Sequence, residues 1–140
     1  MAYSIPTLDP FTVELSFKVQ PYDLNGRGLV SEFAYLRWLE SLRQELLSQH
    51  FSSNQNCHPV LVSTQIEYKL PIQSQSVLTG RLWLANLGKT QWTLQAKLTS
   101  LGDTVATAVQ VGHFVAATEL CSLPIPDSLA QQYWNYQWDL

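Results

Sequence analysis

Between Ser31 and Ser48 the apolar residues Tyr35, Trp38, Leu39, Leu42 and Leu46 fall at i, i+3, i+4, i+7 and i+11, the stripe of a single helix face. Phe33, Leu36 and Leu47 widen that stripe until only Arg37, Glu40, Gln44 and Ser48 are left as a narrow polar ridge. A helix this apolar has to be covered over more than half its girth, so the rest of the chain must supply a broad, curved cover. Ser31 suits the N-cap, and Glu32 puts a negative charge in the first turn, where the helix dipole favours it.

The flanking sequence reads as strands. Phe11, Val13, Leu15, Phe17 and Val19 alternate with polar residues, the period of a strand with one buried face. Pro21 ends that run, and Tyr22 to Gly28 carries the Asp, Asn and Gly of a chain reversal. Phe51 to Asn56 is an exit loop. Beyond it Val60, Val62, Thr64, Ile66, Tyr68 and Leu70 are expected on one face of a second strand, which Pro71 stops. Leu78, Leu82 and Leu84 mark a third strand, Asn86 to Lys89 a turn, and Trp92, Leu94, Ala96 and Leu98 a fourth. Gly102-Asp103 turns the chain into Val105 to Ala117, whose two faces are both largely apolar, so this fifth strand is expected to lie centrally in the sheet. Asp127 or Ser128 can cap a short C-terminal helix. One strand, one helix and a four-strand meander make an α+β order, a five-stranded antiparallel sheet curled around one long central helix. Residues 1–10 read as an arm, 11–118 as the domain and 119–140 as a tail.

Composition narrows the function classes. A chain of 140 residues is one domain's worth. Only 14% of its residues are charged, so Ser, Thr, Gln and Asn supply much of the polar surface. A net charge of −3 gives no positive field for phosphate backbones and argues against nucleic acid as a partner. Cys57, Cys121, His50, His58 and His113 show no CxxC or HExxH spacing, so no metal site is expected. No apolar run approaches the ~18 residues of a membrane span, and the first residues lack the pattern of a secretory signal, so a cytoplasmic protein is expected.

The order of elements is that of the hotdog fold, and the stretch Val19 to Glu40 resembles the signature of the 4-hydroxybenzoyl-CoA thioesterase-like family. That signature reads approximately D-x-D-x-x-G-x-V-x-x-x-x-Y-x-x-[YW]-x-E, and Asp23, Asn25, Gly28, Val30, Tyr35, Trp38 and Glu40 stand at the corresponding places. Gln65 to Pro71 is similar to the family's strand ending in an aromatic, a basic residue and a proline. The likeness covers about residues 11 to 118. It implies hydrolysis of an acyl thioester, acyl-CoA or acyl carrier protein, to free acid and thiol. It also implies a homodimer or tetramer with sites at the interface, and no cofactor beyond the CoA or phosphopantetheine of the substrate itself.

Such hydrolysis needs an activated water on the thioester carbon and donors where its oxygen becomes negative. The N–H groups from Leu29 to Phe33, at the start of the helix, can supply the donors, and Gly28 lets a carbonyl approach the backbone. Gly28, Leu29, Val30 and Phe33 are therefore the expected carbonyl-binding residues. Asn25 is the departure: the family usually has Asp there, and an amide cannot take up a proton but can orient a water or a carbonyl. Glu32, seven residues later, is the expected replacement base. Asp23 is a further candidate, although a turn Asp more often accepts hydrogen bonds from its own loop.

Along the acyl group the resemblance places Tyr35, Ser63 and Thr64, and Trp38, Trp83 and Trp92 are expected in the core or along an aromatic tunnel. His58 is expected at the surface and His113 as a hydrogen-bonded core histidine, while Arg27, Arg37, Lys69 and Arg81 are candidates for substrate phosphates. The His-Val-Asn-Asn segment of plant acyl-carrier-protein thioesterases is replaced here by Leu29-Val30-Ser31-Glu32. A non-catalytic acyl-binding or assembly protein of the same fold is the alternative. A hotdog hydratase comes third, because Gly26 and Gly28 stand where its Pro and His would be.

Overall fold

The computed structural model describes residues 10–50, 57–72, 74–116, 122–123 and 126–138. The arm before Pro10, the loop Phe51 to Asn56 and Cys121 lie outside the described residues. Strand β1 (Val13–Lys18) leads through a 3-10 turn (Pro21–Asp23) to helix α1 (Glu32–His50). Strands β2 (Cys57–Tyr68), β3 (Val77–Leu87), β4 (Gln91–Ser100) and β5 (Asp103–Ala116) follow, then a two-residue β6 (Ser122–Leu123) and helix α2 (Asp127–Trp138). The sheet runs β1-β3-β4-β5-β2, every neighbouring pair antiparallel, with β6 added to β5. This is the expected five-stranded sheet around one helix. The fifth strand is interior as expected, between β4 and β2, while β4 holds the middle place.

One face of every strand turns toward α1. Leu78, Leu82 and Leu84 of β3, Trp92, Leu94, Ala96 and Leu98 of β4, and Ala106, Ala108 and Phe114 of β5 are buried with Tyr35, Trp38, Leu39, Leu42 and Leu46 of the helix. Trp92 reaches this depth because β5 has Gly112 opposite it: a Cβ there would sit 2.0 Å from the indole. The indole N–H donates to the His113 carbonyl at 3.2 Å.

Two expectations about the sheet and helix need correction. Phe33 and Leu36 are not part of the buried stripe, and Phe33 is 72% exposed. At 100° per residue they fall on the flank or back of α1, beyond the reach of its own sheet. The second correction concerns β2, whose register against β5 shifts between Leu61 and Ser63, leaving Val62 as a bulge. Pro59 and Leu61 pair with the inward residues Phe114 and Gly112, whereas past the bulge Thr64, Ile66 and Tyr68 take over the inward face opposite Gln110, Ala108 and Ala106. Val60 therefore belongs to the outer face, not to the set of Thr64 and Ile66. Simple alternation cannot reveal this, because one extra residue inverts every side chain on one side of it.

Candidate active site

The segment that joins β1 to α1 is built by local hydrogen bonds. Pro21 opens the 3-10 turn, and the Asp23 N–H donates to the Gln20 carbonyl at 2.9 Å. The Asp23 carboxylate accepts the Gln20 N–H at 2.7 Å and pairs through its other oxygen with the Arg37 guanidinium, which also lies over the Tyr22 ring. Leu24 then bridges Val30, flanked by Asn25 N–H to Leu29 O and Ser31 N–H to Asp23 O, both 2.7 Å.

Within this loop Asn25 acts as an acceptor. Its side-chain oxygen takes the N–H groups of Arg27 (2.9 Å) and Leu29 (3.2 Å). Two converging N–H donors identify that atom as the oxygen, so the amide nitrogen points away from the loop backbone. Gly28 has φ +75°, the left-handed region the turn requires, and its missing Cβ would meet no protein atom within 4 Å.

Those bonds decide which donors at the helix start are free. Of the N–H groups from Leu29 to Phe33, that of Leu29 serves Asn25, that of Ser31 serves the Asp23 carbonyl, and that of Phe33 serves the Ser31 hydroxyl at 3.2 Å. Ala34 donates to the Ser31 carbonyl, so Ser31 is the N-cap expected from the sequence. The N–H groups of Val30 and Glu32 have no protein partner among the described residues.

A cleft of about 280 Å³ opens beside Val30, with Leu29, Val30 and Tyr35 on one side and Tyr68 to Ile72 on the other; Glu32 does not line it. Tyr35 and Tyr68 meet edge to face, their rings 4.9 Å apart. Burial, and then Tyr68, push the Tyr35 phenol above its ordinary pKa. Burial, and then the Glu32 carboxylate, do the same to Tyr68. Both phenols are therefore neutral near pH 7, and Glu32, itself exposed in the first turn, is close enough to Tyr68 for its charge to be felt.

The remaining expected residues are spread over the molecule. Thr64 and Ser63 occupy opposite faces of β2: Thr64 looks inward and accepts the Gln110 amide at 3.1 Å, whereas Ser63 is on the outer face opposite Val111. Trp38 and Trp92 are core, and Trp83 is half-buried with Arg81 over its ring. His58 is exposed as expected. His113 is hydrogen-bonded, to the Thr90 carbonyl at 3.2 Å, but it lies half-buried on the outer face of β5 instead of in the core. Of the four candidate cations, Lys69 lines the cleft with its ammonium 2.9 Å from Glu67, and Arg37 is engaged by Asp23.

Two features escaped the sequence reading. Tyr68 was placed on a strand face but not against Tyr35. Gln110, 1% exposed, links Thr64 to Arg43 of α1 through the core side of the sheet. Its only signal was an amide among valines. Among the described residues no His, Cys, Asp and Glu cluster has a metal-site arrangement, and no helix is long and apolar enough to cross a membrane.

The comparisons with known proteins agree with this architecture. DHNA-CoA thioesterase from Staphylococcus aureus superimposes with a TM-score of 0.79 at 12% identity, over 90% of this chain and 91% of that one. A 1,4-dihydroxy-2-naphthoyl-CoA thioesterase from Synechocystis gives 0.74 at 19% identity, over 92% and 97%. A 4-hydroxybenzoyl CoA thioesterase, solved as an Asp-to-Asn mutant with 4-hydroxybenzoyl CoA bound, gives 0.77 at 15%, over 86% and 97%. At these identities the likeness establishes the fold. No curated protein matches the chain by sequence. The sequence model of one family does, over residues 19–133, from the end of β1 through the helix-start loop and the sheet into α2, and the chain belongs to that family, the thioesterase-like superfamily.

Proposed function

We propose that this protein hydrolyses an acyl thioester, carried by CoA or by acyl carrier protein, to the free acid and thiol. The observation that carries the reading is the N–H groups of Val30 and Glu32 at a helix start, without a protein partner among the described residues, the first of them in the wall of an apolar cleft. Donors fixed in advance where an oxyanion develops are what this reaction needs most. Family membership and the thioesterases of like fold support the same reading.

In this mechanism the carbonyl oxygen lies against the two N–H groups, and the Asn25 amide nitrogen donates to the attacking water or to the carbonyl. Glu32 takes a proton from that water as its oxygen bonds to the carbonyl carbon. The tetrahedral intermediate then collapses, the C–S bond breaks, and the proton on Glu32 returns to the leaving sulfur. The reaction calls for no metal or organic cofactor, CoA or phosphopantetheine entering as part of the substrate.

The acyl group lies in the cleft lined by Val30, Tyr35 and Tyr68. A second copy pairs at the free edge of β2, where Val60, Val62 and Tyr68 are exposed, and the cytoplasm is the compartment.

The test is release of free thiol from a panel of acyl-CoAs. Wild type should turn over at least one, and Glu32→Gln should lower kcat by about 10²–10⁴-fold, the usual worth of a general base. Asn25→Asp should keep the loop, because one carboxylate oxygen can still accept both N–H groups, and should retain or raise activity. One observation favours the alternative of a non-catalytic acyl binder: the position usually held by Asp carries an amide. Silence from wild type with activity gained by Asn25→Asp would establish it.

A further inference from the structure

We infer that Asp23 and Arg37 form a positioning clamp for the two free donors and take no part in the chemistry themselves. The inference rests on the proposed hydrolysis at this site. Asp23 is only 2% exposed, and besides donating its own N–H it accepts three bonds. One carboxylate oxygen accepts the Gln20 N–H, the other is paired with Arg37, and the carbonyl accepts the Ser31 N–H at 2.7 Å. It thereby ties together the end of the approach from β1, the second turn of α1 and the N-cap of that helix. Both carboxylate oxygens are taken up by these partners, and Asp23 does not line the cleft.

The clamp matters because the loop has little else to hold it. Asn25 to Leu29 are exposed throughout and are joined to the body only at their ends, at Asp23 and Leu24 on one side and Val30 and Ser31 on the other. The Ser31 N–H lies between the two free donors, so its bond to the Asp23 carbonyl fixes the backbone that carries them both. Arg37 reaches Asp23 from the helix, with its planar guanidinium backed by Tyr22. Rotation of Asp23 would therefore shift the backbone that carries both donors while leaving the acyl cleft lined by Tyr35 and Tyr68 in place. That is a defect in the transition state more than in substrate binding.

Arg37→Ala and Asp23→Asn should each lower kcat by up to about 10²-fold, the cost of a misplacement of roughly 1 Å, with KM little changed. Asp23→Asn keeps the side chain's volume and its bond from Gln20, so it should fold even if Arg37→Ala is weakened. The double variant should be no slower than the worse single one. Millimolar guanidinium should restore turnover to Arg37→Ala by refilling the half-open site, and should do nothing for wild type or the double variant. Wild-type kcat in folded Arg37→Ala or Asp23→Asn overturns the clamp, as does loss without guanidinium rescue. Unfolding of both variants also overturns it, since the pair would then be a folding element. If wild type itself hydrolyses no thioester, the functional reading fails and the clamp fails with it. An active wild type with indifferent variants sinks the clamp alone.

Discussion

The two edges of the sheet are built to opposite plans. β1 has six residues and alternates cleanly, with Val13, Leu15 and Phe17 toward the core and Glu14, Ser16 and Lys18 exposed. It is a short edge blunted by charge, the usual defence against unwanted pairing. β2 has twelve residues, a bulge at Val62, and apolar side chains in the open on both sides of it. The cleft opens at its end, at Tyr68. Exposed apolar surface thus runs along β2 itself, whereas beside β1 it falls on its neighbour, at Val77 of β3. An edge left unprotected beside a site is best understood as one half of an interface.

That contrast can be broken most directly by charge. Val62→Lys should convert the proposed dimer to monomer in light scattering and lower turnover by about 10²-fold, because half of a shared site is a badly positioned one. Ser16→Lys on β1 is the matched control and should change stability by less than about 0.5 kcal/mol, with mass unaltered. A wild-type monomer at micromolar concentration would remove the contrast altogether.

Core truncation separates the helix's two apolar sets. Leu42→Ala should cost about 2–5 kcal/mol in urea unfolding at any protein concentration, since the sheet of its own chain covers it. Leu36→Ser should cost a fraction of that.

The smallest effect concerns the far end of α1. His50 packs tilted against Phe11 just ahead of β1, their ring centroids 5.1 Å apart, and its buried Nε2 has no partner among the described residues. Burial holds its pKa below the ordinary 6.5, so the unfolded chain takes up the proton more readily. The neutral ring's contribution is complete above that value and is lost as the pH falls below it. Urea midpoints of wild type should drop across that window, and those of His50→Leu should show a shallower drop.

The helix, the strand order and the Ser31 cap were legible because they rest on periods of 3.6 and 2 and on local bonding. The buried set Tyr35, Trp38, Leu39, Leu42 and Leu46 was read directly. What was hidden depends on partners distant in sequence. The inversion at Val62 needs β5 to define it, and the meeting of Tyr35 with Tyr68 needs the sheet to close over the helix. Phe33 and Leu36 looked like core because periodicity reports apolar character and not which chain covers it. At the site, the glycine turn and the helix start stood out, but the free donors did not. Which N–H groups remain depends on how Asn25, Asp23 and Ser31 spend their acceptors, a detail of loop conformation that no spacing encodes.

The strand order also sets a sequence of events during synthesis. β2 emerges early, yet its partner within the chain is β5, the last long strand, so β2 waits while residues 69–102 are made. Over that interval a long apolar strand has nothing to pair with, and the slow, non-local closure that finally occupies one of its edges is the step expected to limit folding. The feature that suits β2 to meet a second folded copy thus makes the unfinished chain vulnerable to meeting another unfinished one, and slower translation through β3 and β4 should lengthen that exposure.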